Sequence, residues 1–367
     1  MESGVCITGI GVISPVGTGV NCFWKALKEK INGLGNLELA DLSDFNGMKA
    51  GQITNFELSD YVKEKGLRYY SRAMGFVSAA SNLALDDGNY CINTEHEDTT
   101  GIVLGSSFGN VESIKNFYQE ALEEGARYVN PMMYPRTMMT IPASQICINH
   151  KIKGINRTFS HGAVCGMDSI CYAAELIQNQ EYSVMLAGGV EELNSVVMAK
   201  QMYCNGESQK AAPGEGSGMV LLENTQAAIE RRADIYAEII GWSHLYNCEG
   251  NKEEVVYETI KSCMERAIVD AAVSPEEIGT VFMQSVPGSM PYSAEIRAIE
   301  QVLGDKKGIQ LFTIQSYTGD CMGASSAMQV CAGAYKLQED KKEKFVLCNA
   351  FTSDAAYTTV ILKGMSR

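Results

Sequence analysis

The stretch from Gly154 to Ile177, GINRTFSHGAVCGMDSICYAAELI, gathers His161, Cys165 and Cys171 beside a run of small residues. A β-type segment leads through a Ser-His-Gly-Ala turn into a helix. Ile170, Ala173, Ala174 and Ile177 share one apolar face of it at i, i+3, i+4, i+7 spacing. Such a junction suits a nucleophile, because a helix N-terminus stabilises developing negative charge. The side chain at the turn is Ala163, which can attack nothing. Cys165 comes two residues later, about 200° around a helix at 100° per residue, and turns away from the direction of Ala163. It reads as a buried helix thiol, with an unusual nucleophile as the alternative. His161 precedes the turn with no obvious cysteine or serine nucleophile opposite, which favours a structural histidine over a base. No paired CxxC or Cys/His cluster suggests a metal, and Cys165, Cys171 and His161 lie along one helix without a second ligand group.

The elements that would position these residues belong to a large chain. Its 367 residues can hold one two-lobed unit or two medium domains, and 46% hydrophobic content supplies a substantial core. No apolar run is long enough to span a bilayer. The opening MESGVCITGIGVI has no basic n-region and enters a strand at once, so we expect no signal peptide and a cytoplasmic location. The twelve cysteines are then expected to be mostly reduced core fillers. A net charge of −14 argues against a nucleic-acid partner and disfavours direct docking of another strongly acidic protein.

Read in order, the chain repeats itself. Val5 to Gly17 reads as a buried strand and turn, Ser71 to Leu85 as a helix, and Thr100 to Leu104 as a strand entering Gly105-Ser-Ser-Phe-Gly109. A helix is predicted from Val111 to Glu124. The Gly154–Ile177 unit follows, then a strand Ser183 to Leu186 and a turn at Ala187-Gly-Gly189. In the second half Ile235–Gly241, Val255–Ala272, Val281–Gly288, Ser316–Ala327 and Phe345–Ala350 echo these units in the same order. Ala324, Ala327, Met328 and Cys331 reproduce the helical apolar spacing. Two similar strand-and-helix halves imply two like sheets with buried helices between them, divided as 1–230 and 231–367.

These motifs together resemble the β-ketoacyl-acyl carrier protein synthases of the thiolase-like fold. The resemblance rests on Val5–Gly17, Phe23-Trp24, Gly101–Gly109, Pro131–Pro135, Gly154–Ala173, Ala187–Glu191, Gly214–Gly218 with Leu221–Glu223, Ser316–Ala324 and Asn349–Phe351. It covers nearly the whole chain and implies an α/β, αβαβα layered fold and an obligate dimer with active sites near the shared interface. Enzymes of this kind carry the acyl chain on a cysteine, helped by two histidines and a lysine. Alignment places Ala163 at the cysteine, Ser285 or Val286 at the first histidine, Gln315 at the lysine and Asp320 at the second histidine. Thr352-Ser-Asp-Ala355 replaces the Gly-Phe-Gly-Gly turn of the oxyanion hole.

The resemblance therefore points to the inactive chain length factor of type II polyketide systems, which use discrete acyl carrier proteins. It implies no catalytic residue, no cofactor, no metal, and an active ketosynthase subunit as partner in a heterodimer. The acyl carrier protein would dock mainly through that partner, in keeping with the acidic charge of this chain. Asp320 could equally be a helix N-cap. Ile114, Phe117 and Tyr118, on one face of the predicted 111–124 helix, are the candidates for the end of the acyl tunnel. An active condensing enzyme or acyltransferase using Cys165, and a stand-alone acyl-binding homodimer, are the competing expectations.

Overall fold

The computed structural model describes residues 4–204, 211–250, 252–304, 308–352 and 355–365, with no side-chain description for residues 40, 201, 203 and 204. Among the described residues five principal strands form each half in the same order, and the short strand Gly17–Thr18 adds to the first half beside Val5–Ser14. In the first half the five are Asn156–Phe159, Thr100–Gly105, Val184–Glu191, Gly216–Asn224 and Val5–Ser14. In the second they are Gln310–Phe312, Ile278–Phe282, Phe345–Phe351, Ala356–Lys363 and Ala237–Tyr246. The first two strand pairs of each set are parallel and the last two antiparallel, so the internal repeat extends to strand direction.

The helices fall into three layers. Cys165–Gln178 and Met322–Glu339 lie between the half-sheets and contact each other. Arg72–Asp87 and Ile141–His150 cover the outer face of the first half, and Glu253–Asp270 and Met290–Leu303 that of the second. The result is the α/β, αβαβα arrangement. Ile170, Ala173, Ala174 and Ile177 are all buried, as are Ala324, Ala327, Met328 and Cys331. A helix enclosed on both sides needs small residues where it meets its neighbour. Gly166 and Gly323 supply them, since a Cβ on Gly166 would stand 2.0 Å from the Gly323 carbonyl oxygen.

Two expectations are corrected. The half-sheets are one continuous hydrogen-bonded sheet, joined where Val5, Cys6 and Ile7 pair antiparallel with Ile239, Glu238 and Ala237. Opening strands of the two halves carry β-rich apolar sequence and find each other across the pseudo-symmetry axis. Ala187-Gly-Gly189 is also no turn: it lies inside the strand Val184–Glu191. There glycine serves close approach, since a Cβ on Gly188 would meet the Gly218 carbonyl oxygen at 2.0 Å. We propose that a division between residues 230 and 231 lies at the turn before the Ala237–Tyr246 strand.

Candidate functional site

The site is built where the edge strand Asn156–Phe159 turns into the Cys165–Gln178 helix. Gly162, at φ 82°, begins a 3₁₀ turn Gly162–Val164 that feeds the helix. Its conformation favours glycine, and a Cβ there would meet Thr352 Cγ2 at 2.6 Å. Ala163 is buried within this turn at the start of the helical run. Nothing on its methyl group can accept or donate a proton.

Cys165 is fully buried. Its thiol faces Gly323, where an added Cβ would approach Sγ to 2.4 Å, and Ser107 Oγ lies 4.0 Å away. Burial first, then the nearby Glu191 carboxyl, push the Cys165 thiol well above its ordinary range. A thiolate is thereby disfavoured at physiological pH. Glu191 itself is fully buried and takes the backbone N–H of Ser107 and, at 3.3 Å, that of Phe108. Burial raises its pKa to about 8.

His161 Nε2 donates to Asp168 Oδ2 at 2.5 Å, while Asp168 Oδ1 accepts from Thr358 Oγ1 at 2.6 Å and faces His244 Nδ1 at 3.0 Å. Burial works to raise the Asp168 pKa, but hydrogen bonds from His161, His244 and Thr358 overcome it and hold the carboxyl at about 2. The Phe159 ring packs edge-on against both His161 and Tyr172. Asp168 thus ties the turn to two strands of the second half. His161 stands before the 3₁₀ turn with φ −145°, not along one helix with Cys165 and Cys171 as expected, so the sequence carried only a partial signal, the seven-residue spacing from His161 to Asp168. His244 and Thr358 lie on distant segments and carried none.

Because the Asp168 pKa falls from 3.8 to about 2, its contribution is present above pH 4 and lost as pH falls toward 2. A shift of that size corresponds to roughly 2 kcal/mol. Asp168→Asn is expected to lower thermal stability at pH 7 and to flatten the acid limb between pH 4 and 2. Equal unfolding temperatures at pH 7 for variant and parent would show that the carboxylate holds nothing together.

The other positions are dispersed around the ends of the second-half strands. Ser285 is buried and donates its hydroxyl to Glu295 Oε2 at 2.5 Å, and Val286 is half-buried beside it. Gln315 is buried at the start of the short helix Gln315–Thr318. Asp320 Oδ1 accepts the Met322 N–H at 2.9 Å, so it caps the following helix from two residues upstream, with Cys321 in the N-cap position. Of the stretch 352–355, Ser353 and Asp354 lie outside the described residues; Ala355 holds φ 73°, a left-handed backbone that favours glycine.

Ile114, Phe117 and Tyr118 lie on the helix Val111–Glu123. Ile114 and Phe117 are half-buried and Tyr118 is exposed. The Phe117 ring meets those of Tyr118 and Tyr134. Among the described residues no group of three or more His, Cys, Asp or Glu side chains could hold a metal ion. No helix there is long and apolar enough to cross a membrane.

Residues 2–228 match the family model of the beta-ketoacyl synthase N-terminal domain and residues 236–346 that of the C-terminal domain. The chain belongs to the beta-ketoacyl synthase family. It is 30% identical over 348 residues to 3-oxoacyl-(acyl-carrier-protein) synthase 2 of Vibrio cholerae serotype O1, covering 89% of this chain and 84% of that one. The Staphylococcus aureus protein of the same name is 24% identical over 360 residues, covering 92% and 86%. Among solved structures, the ishigamide ketosynthase/chain length factor superposes with a TM-score of 0.90 at 22% identity, over the full length of both chains. A type II polyketide synthase acyl-carrier protein in complex with its ketosynthase bound to the hexaketide superposes at 0.86 and 18% identity, again over both full lengths.

Proposed function

We propose that this chain is a non-catalytic chain length factor: it pairs with an active ketosynthase and walls the acyl tunnel in which a polyketide or polyene grows. One observation carries the reading. An alanine stands where the helix N-terminus would activate a nucleophile, and the nearest thiol, Cys165, faces inward with a raised pKa. The ketosynthase/chain length factor neighbour supports it; the names of the curated relatives, which are synthases, favour the competing reading of an active condensing enzyme.

Pairing is supported by large apolar side chains left exposed on the first half and by its open edge strand. Leu122 is 86% exposed and Met132 76%, and Tyr118, Tyr128, Tyr134, Met138 and Ile148 are also exposed. Together with the open edge of Asn156–Phe159, this is a surface suited to an obligate interface. A carrier protein, itself acidic, would dock chiefly on the partner because this chain carries −14.

The test is co-expression with a ketosynthase bearing the Cys/His/His set and its carrier protein. We expect a heterodimer by size exclusion and condensation of malonyl units by the pair, with neither acylation nor condensation by this subunit alone. A labelled acyl adduct on the isolated chain that disappears in Cys165→Ser would overturn the reading.

Product length tests the tunnel. Phe117→Ala opens room beside Tyr118 and Tyr134, and because the ring is only half-buried its stability cost falls below the roughly 3–5 kcal/mol of a fully buried phenylalanine. The variant pair is expected to make longer chains; an intact pair with unchanged products removes Phe117 from the tunnel end.

A further inference from the structure

Gln284 and Gln315 follow the carboxyl ends of two adjacent parallel strands, Ile278–Phe282 and Gln310–Phe312, and Gln329 bonds the backbone beside Gln284. Met283, just past the first strand, donates its N–H to the Phe312 carbonyl at 2.8 Å, and its own carbonyl receives Gln329 Nε2 at 2.9 Å. Gln284 follows Met283 directly. Gln315 opens the short helix three residues beyond Phe312, and Gln329 reaches the same place from the central helix behind.

Four of their buried amide atoms have no partner among the described residues. This holds for both amide atoms of Gln315 and for the side-chain oxygens of Gln284 and Gln329. Gln315 is 2% exposed and Gln329 fully buried. Buried polar groups in folded proteins are almost always hydrogen-bonded, and leaving one dry forfeits about as much as a lost hydrogen bond. The nearby carboxylate cannot serve them. Glu295 already accepts the backbone N–H groups of Gln284 and Ser285, the Ser285 hydroxyl and the Asn349 amide.

Amides are uncharged and present donors and acceptors side by side. The partner that fits is small, neutral, and both donates and accepts; water does this with two to four bonds inside a fold. We propose that Gln284, Gln315 and Gln329 hold a cluster of ordered internal water molecules, a hydration site built into the strand ends of the second half. At Gln315 the resemblance implies a lysine, so the cluster would put neutral, bound solvent where the family keeps a charge. The proposal stands independently of the chain length factor reading.

A crystal structure at about 1.8 Å resolution or better, of the chain or of its complex with the partner, reads the site directly. We expect at least two waters within hydrogen-bonding distance of Gln315 and Gln329. A dry site, or one in which the amides bond each other, overturns the proposal. Thermal unfolding of Gln315→Met supplies an independent sign. Water-bonded atoms make the variant less stable, by roughly 2–4 °C. Dry orphan atoms make it more stable, since an unpaired amide has been removed, and a rise would overturn the proposal without any structure.

Discussion

Gly166→Ala is expected to lower the stability of this protein sharply. The new methyl carbon would lie 2.0 Å from the Gly323 carbonyl oxygen, 3.0 Å from its carbon and 3.1 Å from Ala327 Cβ. The first two are backbone atoms of the other central helix, so no side-chain rotation relieves the clash. The helices must separate, and both are enclosed by strands on each side. Overpacking against backbone costs about 3 kcal/mol, against a net stability of roughly 5–15 kcal/mol for a whole domain. In a chain of this size that corresponds to a fall of roughly 6–12 °C in unfolding temperature, or to loss of soluble protein. Gly35→Ala is the control, since a Cβ there meets nothing within 4 Å. If both variants unfold at the parental temperature, the central helices have slack that the structure does not contain.

The second large effect is a loss of stability as pH rises through neutrality. Burial raises Glu191 to about 8 and Glu192 and Glu295 to about 7, each from 4.5. A carboxyl whose folded pKa is raised stabilises the fold fully below its unfolded pKa, and that stability is lost as pH climbs through the folded value. Each group can remove on the order of 1 kcal/mol per pH unit in its window. His150 opposes them, because burial lowers its pKa and its effect is felt below about 6.5. The clean interval is therefore pH 6.5 to 8, where the unfolding temperature should decline. Glu191→Gln should make that decline shallower, and a flat parental profile would show that the three carboxyls are ionised in the fold throughout.

How much of this was legible beforehand depended on the range of the interaction. The apolar faces of the two central helices were readable, because Ile170 to Ile177 and Ala324 to Cys331 encode them within eight residues. The repeat was readable for the same reason, as one local pattern written twice. The joining of the half-sheets was not, since Val5 and Ile239 carry no local sign that they pair. Glycine misled at Ala187-Gly-Gly189: its turn preference is local, whereas here its task is to let the Gly218 backbone come close. At the site, Ala163 could be read as an inert position from its residue type alone. The anchoring of His161 could not, because Asp168 draws its other partners, His244 and Thr358, from the far half of the chain.

The joined sheet also sets a schedule. Val5 pairs with Asn224 on one side and with Ile239 on the other, separations of 224 − 5 = 219 and 239 − 5 = 234 residues. At roughly 5–20 residues per second, a ribosome needs about 10–50 s to deliver both partners after the first strand has emerged. Throughout that interval the apolar strand Val5–Ser14 has neither neighbour, and its edges invite pairing with other nascent chains. This strand, made long before its partners, is thus among the last to be secured, and folding waits on long-range contacts that form slowly. A nascent-chain force profile should show little pulling before residue 239 clears the exit tunnel and a strong event afterwards. Early tension would mean that the first half closes on its own.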